Sequence, residues 1–179
     1  MSEGGIHVAV ARTRAGMIAV PVPPTTPAAD AAAVRAALAE VMDPELPMIS
    51  IVDLGMVGDV TVDAASIRVE LLPTFIGCPA LELIQHAVVG RLASVAGPAQ
   101  AVEAVATFAV PWTSDRISAA GRDALAAAGI APPSEPADVR CPYCGDGRVV
   151  MDSAFGPTQC RSLFFCRACR QPFEAIKPV

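Results

Sequence analysis

Two C-x2-C pairs, Cys141 with Cys144 and Cys166 with Cys169, separated by 21 residues, constrain the end of this chain more tightly than any other feature. Two residues between cysteines let both sulfurs of one tight turn reach the same ion, and two such turns complete a tetrahedron. The turns read CPYCG and CRACR, with Gly145 following the first pair where a left-handed backbone is usually needed. A four-thiolate shell has no open position, so the pattern predicts a structural metal and no metal catalysis. Zinc is the default occupant, although iron in a rubredoxin-like site takes the same ligands. Between the pairs, Val149, Val150, Met151, Phe155, Leu163, Phe164 and Phe165 can supply the short strands of a zinc ribbon over 139–179. So small a module buries too little apolar area to fold alone, and metal binding must supply much of its folding energy. Cys160 precedes the second pair by six residues and has no place in a four-ligand shell. Its simplest reading is a small buried side chain, with a reactive thiol as the alternative.

The rest of the chain is an acidic body. Residues 139–179 carry six basic and three acidic side chains, and the remainder carries seven and fifteen. That distribution disfavours nucleic acid as a partner. No apolar run reaches the roughly 18 residues that span a bilayer. The opening MSEGGIHVAVARTRAG lacks a continuous apolar stretch after a basic start, so the expectation is a cytoplasmic protein without membrane association. Thiols stay reduced in that compartment, and the six cysteines read as metal ligands or reactive groups rather than disulfides. Apolar residues make up 53% but aromatic ones only 4%, so the core must be built of Ala, Val, Leu and Ile.

Residues 1–28, rich in Ala, Pro and Thr, read as a flexible extension that includes His7. Asp30 is a plausible cap for a helix with Val34, Leu38, Val41 and Met42 on one face, stopped by Pro44. VGDVTVD and SIRVELL alternate around a turn at Ala64 and Ala65, which predicts a β-hairpin. Pro79 suits the first position of a second helix, whose stripe is Leu83, Ile84, Ala87, Val88, Leu92 and Val95. A third strand is expected over 101–110. A last helix follows, capped by Thr113 or Ser114, with Ile117, Ala124 and Leu125 inward and Gly129 as its stop. The order gives an α+β fold: a small two-layer α/β domain over 29–131, a linker over 132–138 and the four-cysteine zinc ribbon.

Cys78 lies in TFIGCP, directly before the second helix. Unpaired amides at a helix start lower a thiol pKa and favour a nucleophile or metal ligand. A buried small hydrophobe is an equally good reading from position alone. Gly77 would let the backbone approach closely. Asp43, Glu45 and Asp53 sit in the loop before the hairpin; solvated acids are the default there, and the sequence leaves open whether they neighbour Cys78. No Ser–His–Asp pattern, phosphate loop or dinucleotide fingerprint is present, and His86 reads as an ordinary helix residue.

DPELPMISIVDLGMV, TFIGCP and PWTSDRISAAGRDALAAAGIAPP, followed by CPYCG and CRACRQPF, resemble the PaaD (also called PaaJ) family of bacterial phenylacetate degradation. The resemblance runs from about Ala32 to the C-terminus. The first module is similar to the metal-sulfur cluster assembly family that includes SufT. Its hallmark elements fall on Asp43, Pro44 and Glu45, on Asp53, Leu54 and Gly55, and on Thr74, Gly77 and Cys78. The PWTSD segment and the ribbon are more specific to the PaaD branch. PaaD-type proteins accompany the multicomponent oxygenase that epoxidises phenylacetyl-CoA, which has a diiron subunit and an iron–sulfur reductase. The kinship implies a non-catalytic accessory protein that helps mature one of these centres, with the reductase's cluster as the first candidate. Cys78 would hold iron or an iron–sulfur cluster transiently, with Asp43, Glu45 and Thr74 around it. Asp53, Gly55 and Gly77 would shape the turns, and the ribbon would dock on the client. The alternative is a structural subunit or scaffold of the oxygenase without cluster chemistry. Direct catalysis would need iron ligands such as paired Glu-x-x-His motifs, which the sequence lacks. Homo-oligomerisation stays open.

Overall fold

In the computed structural model, which describes residues 29–179, the two alternating segments pair as an antiparallel hairpin. Its strands are β1 (Val57–Val62) and β2 (Ser66–Leu71). Asp63 holds the turn, its Oδ1 accepting from the amides of Ala65 and Ser66 at 2.7 and 2.8 Å. Along β2, Ile67, Val69 and Leu71 are fully buried while Arg68 and Glu70 between them are half-buried, as the period of two requires. The expected extension 1–28, with His7, lies outside the described residues.

Two helices cover this sheet. α1 (Ala31–Leu38) starts where Asp30 accepts from the Ala33 amide at 2.8 Å. α2 (Leu81–Ala93) buries Ile84, Val88 and Leu92, one residue per turn, and leads to β3 (Ala101–Ala106). β3 lies parallel to β2, giving the order β1-β2-β3. Each fully buried Val, Leu or Ile here contributes about 1.5–3 kcal/mol, and the aliphatic core matches the scarcity of aromatic residues.

Several boundaries differ from those expected. α1 ends at Leu38, before Pro44, because the chain tightens there: the amides of Glu40 and Val41 turn back to Ala37 and Leu38. Met42 is consequently exposed and bridges to Ser50. α2 starts at Leu81, two residues beyond Pro79, because Cys78 to Leu81 forms a turn closed by the Leu81 amide on the Cys78 carbonyl. Leu83 and Ala87 face outward from α2, since the buried row advances by four residues rather than three. β3 stops at Ala106; its pairing to β2 ends with Thr107 on the Leu71 carbonyl, and Phe108 and Val110 are exposed. The cap of α3 (Ala119–Ala127) is Ser118, whose Oγ accepts from Gly121 at 2.9 Å; Thr113 opens a single 3-10 turn instead.

The ribbon is a four-stranded sheet in the order β4-β7-β6-β5, formed by β4 (Ile130–Ala131), β5 (Val149–Ser153), β6 (Arg161–Cys166) and β7 (Pro172–Ile176). Phe164 and Phe173 stack across β6 and β7 with centroids 5.7 Å apart. β4 comes from the chain just after α3 and pairs in parallel with β7. The expected division at 131/132 therefore falls at a strand pairing. Ile176 of β7 is 4% exposed and belongs to the apolar cluster of the first module. The Ser114 amide reaches the Val179 carbonyl at 3.3 Å, so the end of the chain returns to the first module. Among the described residues, no helix is long and apolar enough to cross a membrane.

Candidate functional site

The ribbon cysteines sit on two turns of the same design. In the first, the Gly145 amide donates to the Cys141 carbonyl at 2.8 Å; in the second, Arg170 donates to Cys166 at 2.9 Å. Gly145 and Arg170 both take left-handed backbones, with φ of 71° and 59°. Sequence reasoning anticipated the glycine but not its counterpart, because Arg carries no turn signal. The four sulfurs converge: Cys141 and Cys169 are 3.6 Å apart, Cys144 and Cys166 are 3.7 Å apart, and all four ligand atoms lie within 4.8 Å of one another. A tetrahedron with metal–sulfur bonds near 2.3 Å has edges of about 3.8 Å, so the set fits a zinc-like ion.

The electrostatics of these sulfurs also call for a cation. The amide of Cys169, followed by that of Ala168, holds the Cys166 thiol down to about 7. Burial, followed by the neighbouring sulfurs, pushes Cys169 up to about 12. Four thiolates this close repel one another, and a divalent ion removes that repulsion. The four-cysteine cluster is a metal-binding site.

The second site lies where the two modules meet. Cys78 follows Gly77, whose φ is +86°. A side chain added at Gly77 would meet nothing within 4 Å, so this glycine supplies the left-handed turn and not the close approach expected of it. The turn delivers the half-buried Cys78 thiol to a narrow pocket of about 20 Å³, room for one water-sized group. Asp43, Glu45 and Thr74 of the first module line that pocket with it, as do Thr158, Cys160 and Arg161 of the ribbon. Trp112 closes one side, its indole N–H donating to the Leu54 carbonyl at 2.9 Å. Asp43 is buried, and its Oδ1 accepts from the Glu45 and Leu46 amides at 2.8 and 2.9 Å. It holds the DPE loop in shape rather than standing as a solvated acid.

Burial pushes the Cys78 thiol above its ordinary value; the Ala80 amide opposes this, and Glu45, Asp43 and Cys160 add to the rise. The lowered pKa expected at a helix start is thus reversed. The helix begins three residues later, and the acids of the loop face the sulfur. Asp43 is also raised, by burial first, against the pull of its two amides and the Arg161 charge.

Asp53 and Gly55 stand apart from this pocket and shape the turn behind it. Asp53 accepts from the hydroxyls of Ser50 and Ser118 at 2.8 and 2.7 Å, tying the DLG turn to the start of α3. Gly55 has φ +74°, and a Cβ there would lie 2.5 Å from Arg116. His86 is on the surface of α2, its Nδ1 2.8 Å from the Glu82 carbonyl, and takes no part in either site.

Residues 31–112 match the family described as iron-sulfur cluster assembly protein, and residues 127–177 match the PaaD zinc beta ribbon domain. A protein of Escherichia coli (strain K12), described as a putative subunit of 1,2-phenylacetyl-CoA epoxidase, is 36% identical over 149 residues, 79% of this chain and 89% of that relative. The chain belongs to the PaaD family. Two solved structures are similar to part of this PaaD chain. A DUF59 domain of unknown function from Bacillus anthracis is 30% identical with a TM-score of 0.42, covering 51% of this chain and 87% of that one. A conserved hypothetical protein from Thermotoga maritima is 29% identical with a TM-score of 0.47, covering 54% and 93%.

Sequence reasoning missed Thr158, Arg161 and Ile176, which the ribbon contributes to the Cys78 pocket, and did not place Cys160 there. One signal was available, the surplus of Cys160 over a four-ligand shell. Its preferred reading as a small side chain packed on the ribbon gives way to a half-buried thiol facing the first module's pocket.

Proposed function

We propose that this chain is a non-catalytic maturation factor that assists assembly of an iron–sulfur cluster or metal centre in the phenylacetyl-CoA ring 1,2-epoxidase complex of phenylacetate catabolism. The observation that carries this reading is the Cys78 thiol of the cluster-assembly module, lining one narrow pocket with Asp43, Glu45 and Thr74. The Escherichia coli relative supports the epoxidase as the client system, and the reductase with its iron–sulfur cluster is the first client to test. The working compartment is then the cytoplasm. The ribbon holds one structural zinc through Cys141, Cys144, Cys166 and Cys169.

The chemistry suits delivery rather than storage. Burial, with the facing acids, raises the Cys78 thiol, so an arriving iron ion must displace a firmly held proton to solvent. Displacing a tightly held proton weakens apparent metal affinity and makes the ion easier to pass on. A trough of Phe75, Ile76, Phe108, Val110 and Val179 shares Thr74 and Trp112 with the pocket and offers apolar surface for a client beside the thiol.

The same trough also favours a second reading, a permanent structural subunit or scaffold that uses this face without handling metal. Cys78→Ser in cells that make the epoxidase separates the two. Maturation predicts reductase isolated with little iron and sulfide; a scaffold predicts fully loaded reductase.

A further inference from the structure

We infer that the metal end of the ribbon is a docking face for a partner protein, an apolar row flanked by arginines that fits a surface of exposed carboxylates around an apolar centre. This rests on the reading of the chain as an accessory of the epoxidase, whether it matures a centre or only organises one, and it names the face and the chemistry of the contact. Val150 stands opposite Phe165 in the pairing of β5 with β6, and Phe165 stands opposite Pro172 in the pairing of β6 with β7. Residues directly opposite share a sheet face, so the three form one row across three strands. All three are exposed, while Phe164 and Phe173, one position along, are buried on the other face. At its Pro172 end the row meets the exposed Tyr143, and the two line one surface groove of about 350 Å³. A sheet face left to solvent is ordinarily polar, and this part of it is not.

An arginine stands two residues from each strand member of the row, toward the metal turns: Arg148 before Val150, Arg167 after Phe165 and Arg170 before Pro172. All three are exposed, and the Arg167 amide donates to the Arg148 carbonyl at 2.9 Å, so these two are neighbours. Arg148 is paired with Asp146 at 2.9 Å, but among the described residues no ion pair reaches Arg167 or Arg170. Guanidinium forks grip carboxylates through paired hydrogen bonds, and arginine with aromatic side chains is the composition of interface centres. Charge decides among partners. A zinc ion with four thiolates is left about two units negative, which offsets most of what the arginines add, and the body of the chain is acidic. A polyphosphate therefore meets no extended positive field, whereas single carboxylates need only short-range forks. A second copy also offers acids, but ribbon-to-body contact is head-to-tail and need not close on itself. Phe165 lies four residues along β6 from Arg161 of the Cys78 pocket, about 13 Å, so a partner held here leaves the thiol uncovered.

The test measures binding of the full, zinc-loaded chain to purified subunits of the phenylacetyl-CoA epoxidase by biolayer interferometry. The double variant Arg167→Gln with Arg170→Gln should bind at least about ten-fold more weakly, and so should Phe165→Ser. Arg167→Lys with Arg170→Lys should lose nearly as much as the glutamine pair, because an ammonium keeps the charge but not the fork. Each variant is first checked for one zinc per chain and an unchanged amide spectrum, and the arginine pairs carry the test should Phe165→Ser fail to fold. Unchanged affinity in both arginine pairs, with binding lost in Ile76→Ser, overturns the inference and assigns the contact to the trough. A wild type that binds none of the subunits overturns it as well. So does self-association of the wild type that the glutamine pair abolishes, which gives the face to a second copy. Reductase loading in Cys78→Ser cells is a separate readout, so the docking face and the maturation reading can fail independently.

Discussion

The two cysteine sites differ in how the chain builds them. The ribbon site is local. Each turn spans five residues, Cys141 to Gly145 and Cys166 to Arg170, each closes on its own amide-to-carbonyl bond, and the sulfurs already sit near tetrahedral spacing. The Cys78 pocket is assembled from the DPE loop, the TFIGCP turn, Trp112 and the start of β6, segments remote in sequence and joined only when the modules pack. Its thiol is raised by burial and the facing acids, whereas the ribbon sulfurs shift in both directions as they act on one another, Cys166 down to about 7 and Cys169 up to about 12. A prepared, closed shell suits a permanent ion. A seam with a reluctant thiol suits one that comes and goes.

The largest effect should come from breaking the local site. Cys141→Ser removes one of four ligands from a domain whose metal supplies on the order of 10 kcal/mol of folding energy. The expected outcome is loss of zinc and of the ribbon's amide dispersion in NMR spectra, while the first module's signals persist. A ribbon that stays folded without zinc would erase the distinction between the sites. Next comes the seam. Ile176→Ala leaves a cavity in the shared core and should cost about 3 kcal/mol by urea unfolding, with faster alkylation of Cys78 as the pocket loosens. If Cys78 reactivity does not change, the ribbon does not close that pocket.

A smaller effect is expected at Arg170, the non-glycine residue in the second turn's left-handed position. Arg170→Gly should raise stability by about 1 kcal/mol in the zinc-loaded protein, making that turn the equal of the one with Gly145. The smallest is a pH effect at Cys78, faced by Asp43, Glu45, Cys160 and Arg161. Its folded-state pKa is raised, so as pH climbs past the ordinary thiol value the unfolded chain ionises first and the native state loses stability. The decline should be shallower in Cys78→Ser. An identical decline in both would show that the thiol is not held protonated.

The sequence made the first site legible and the second only in part. Cysteine spacing is a local code, so the ligands could be read directly, and the alternation of β2 located its buried row. Helix and strand ends shifted where a turn interrupted a good periodic run, as at Leu38 and Ala106. Cys78, Asp43, Glu45 and Thr74 were nameable from the family resemblance, and the fold brings them to one pocket. The sign of the Cys78 shift was not legible, because it depends on burial and on carboxylates some thirty residues away in sequence. Nor was the place of Cys160 in that pocket, which depends on how the ribbon packs on the first module.

The central claim is that Cys78 handles metal while the ribbon only holds it. Metal and acid-labile sulfide analysis of anaerobically purified wild type beside Cys78→Ser tests this most directly. The prediction is one zinc per chain in both proteins, with iron taken up on reconstitution by wild type and lost in the variant. Equal iron in both, or none in wild type even after reconstitution, would contradict it.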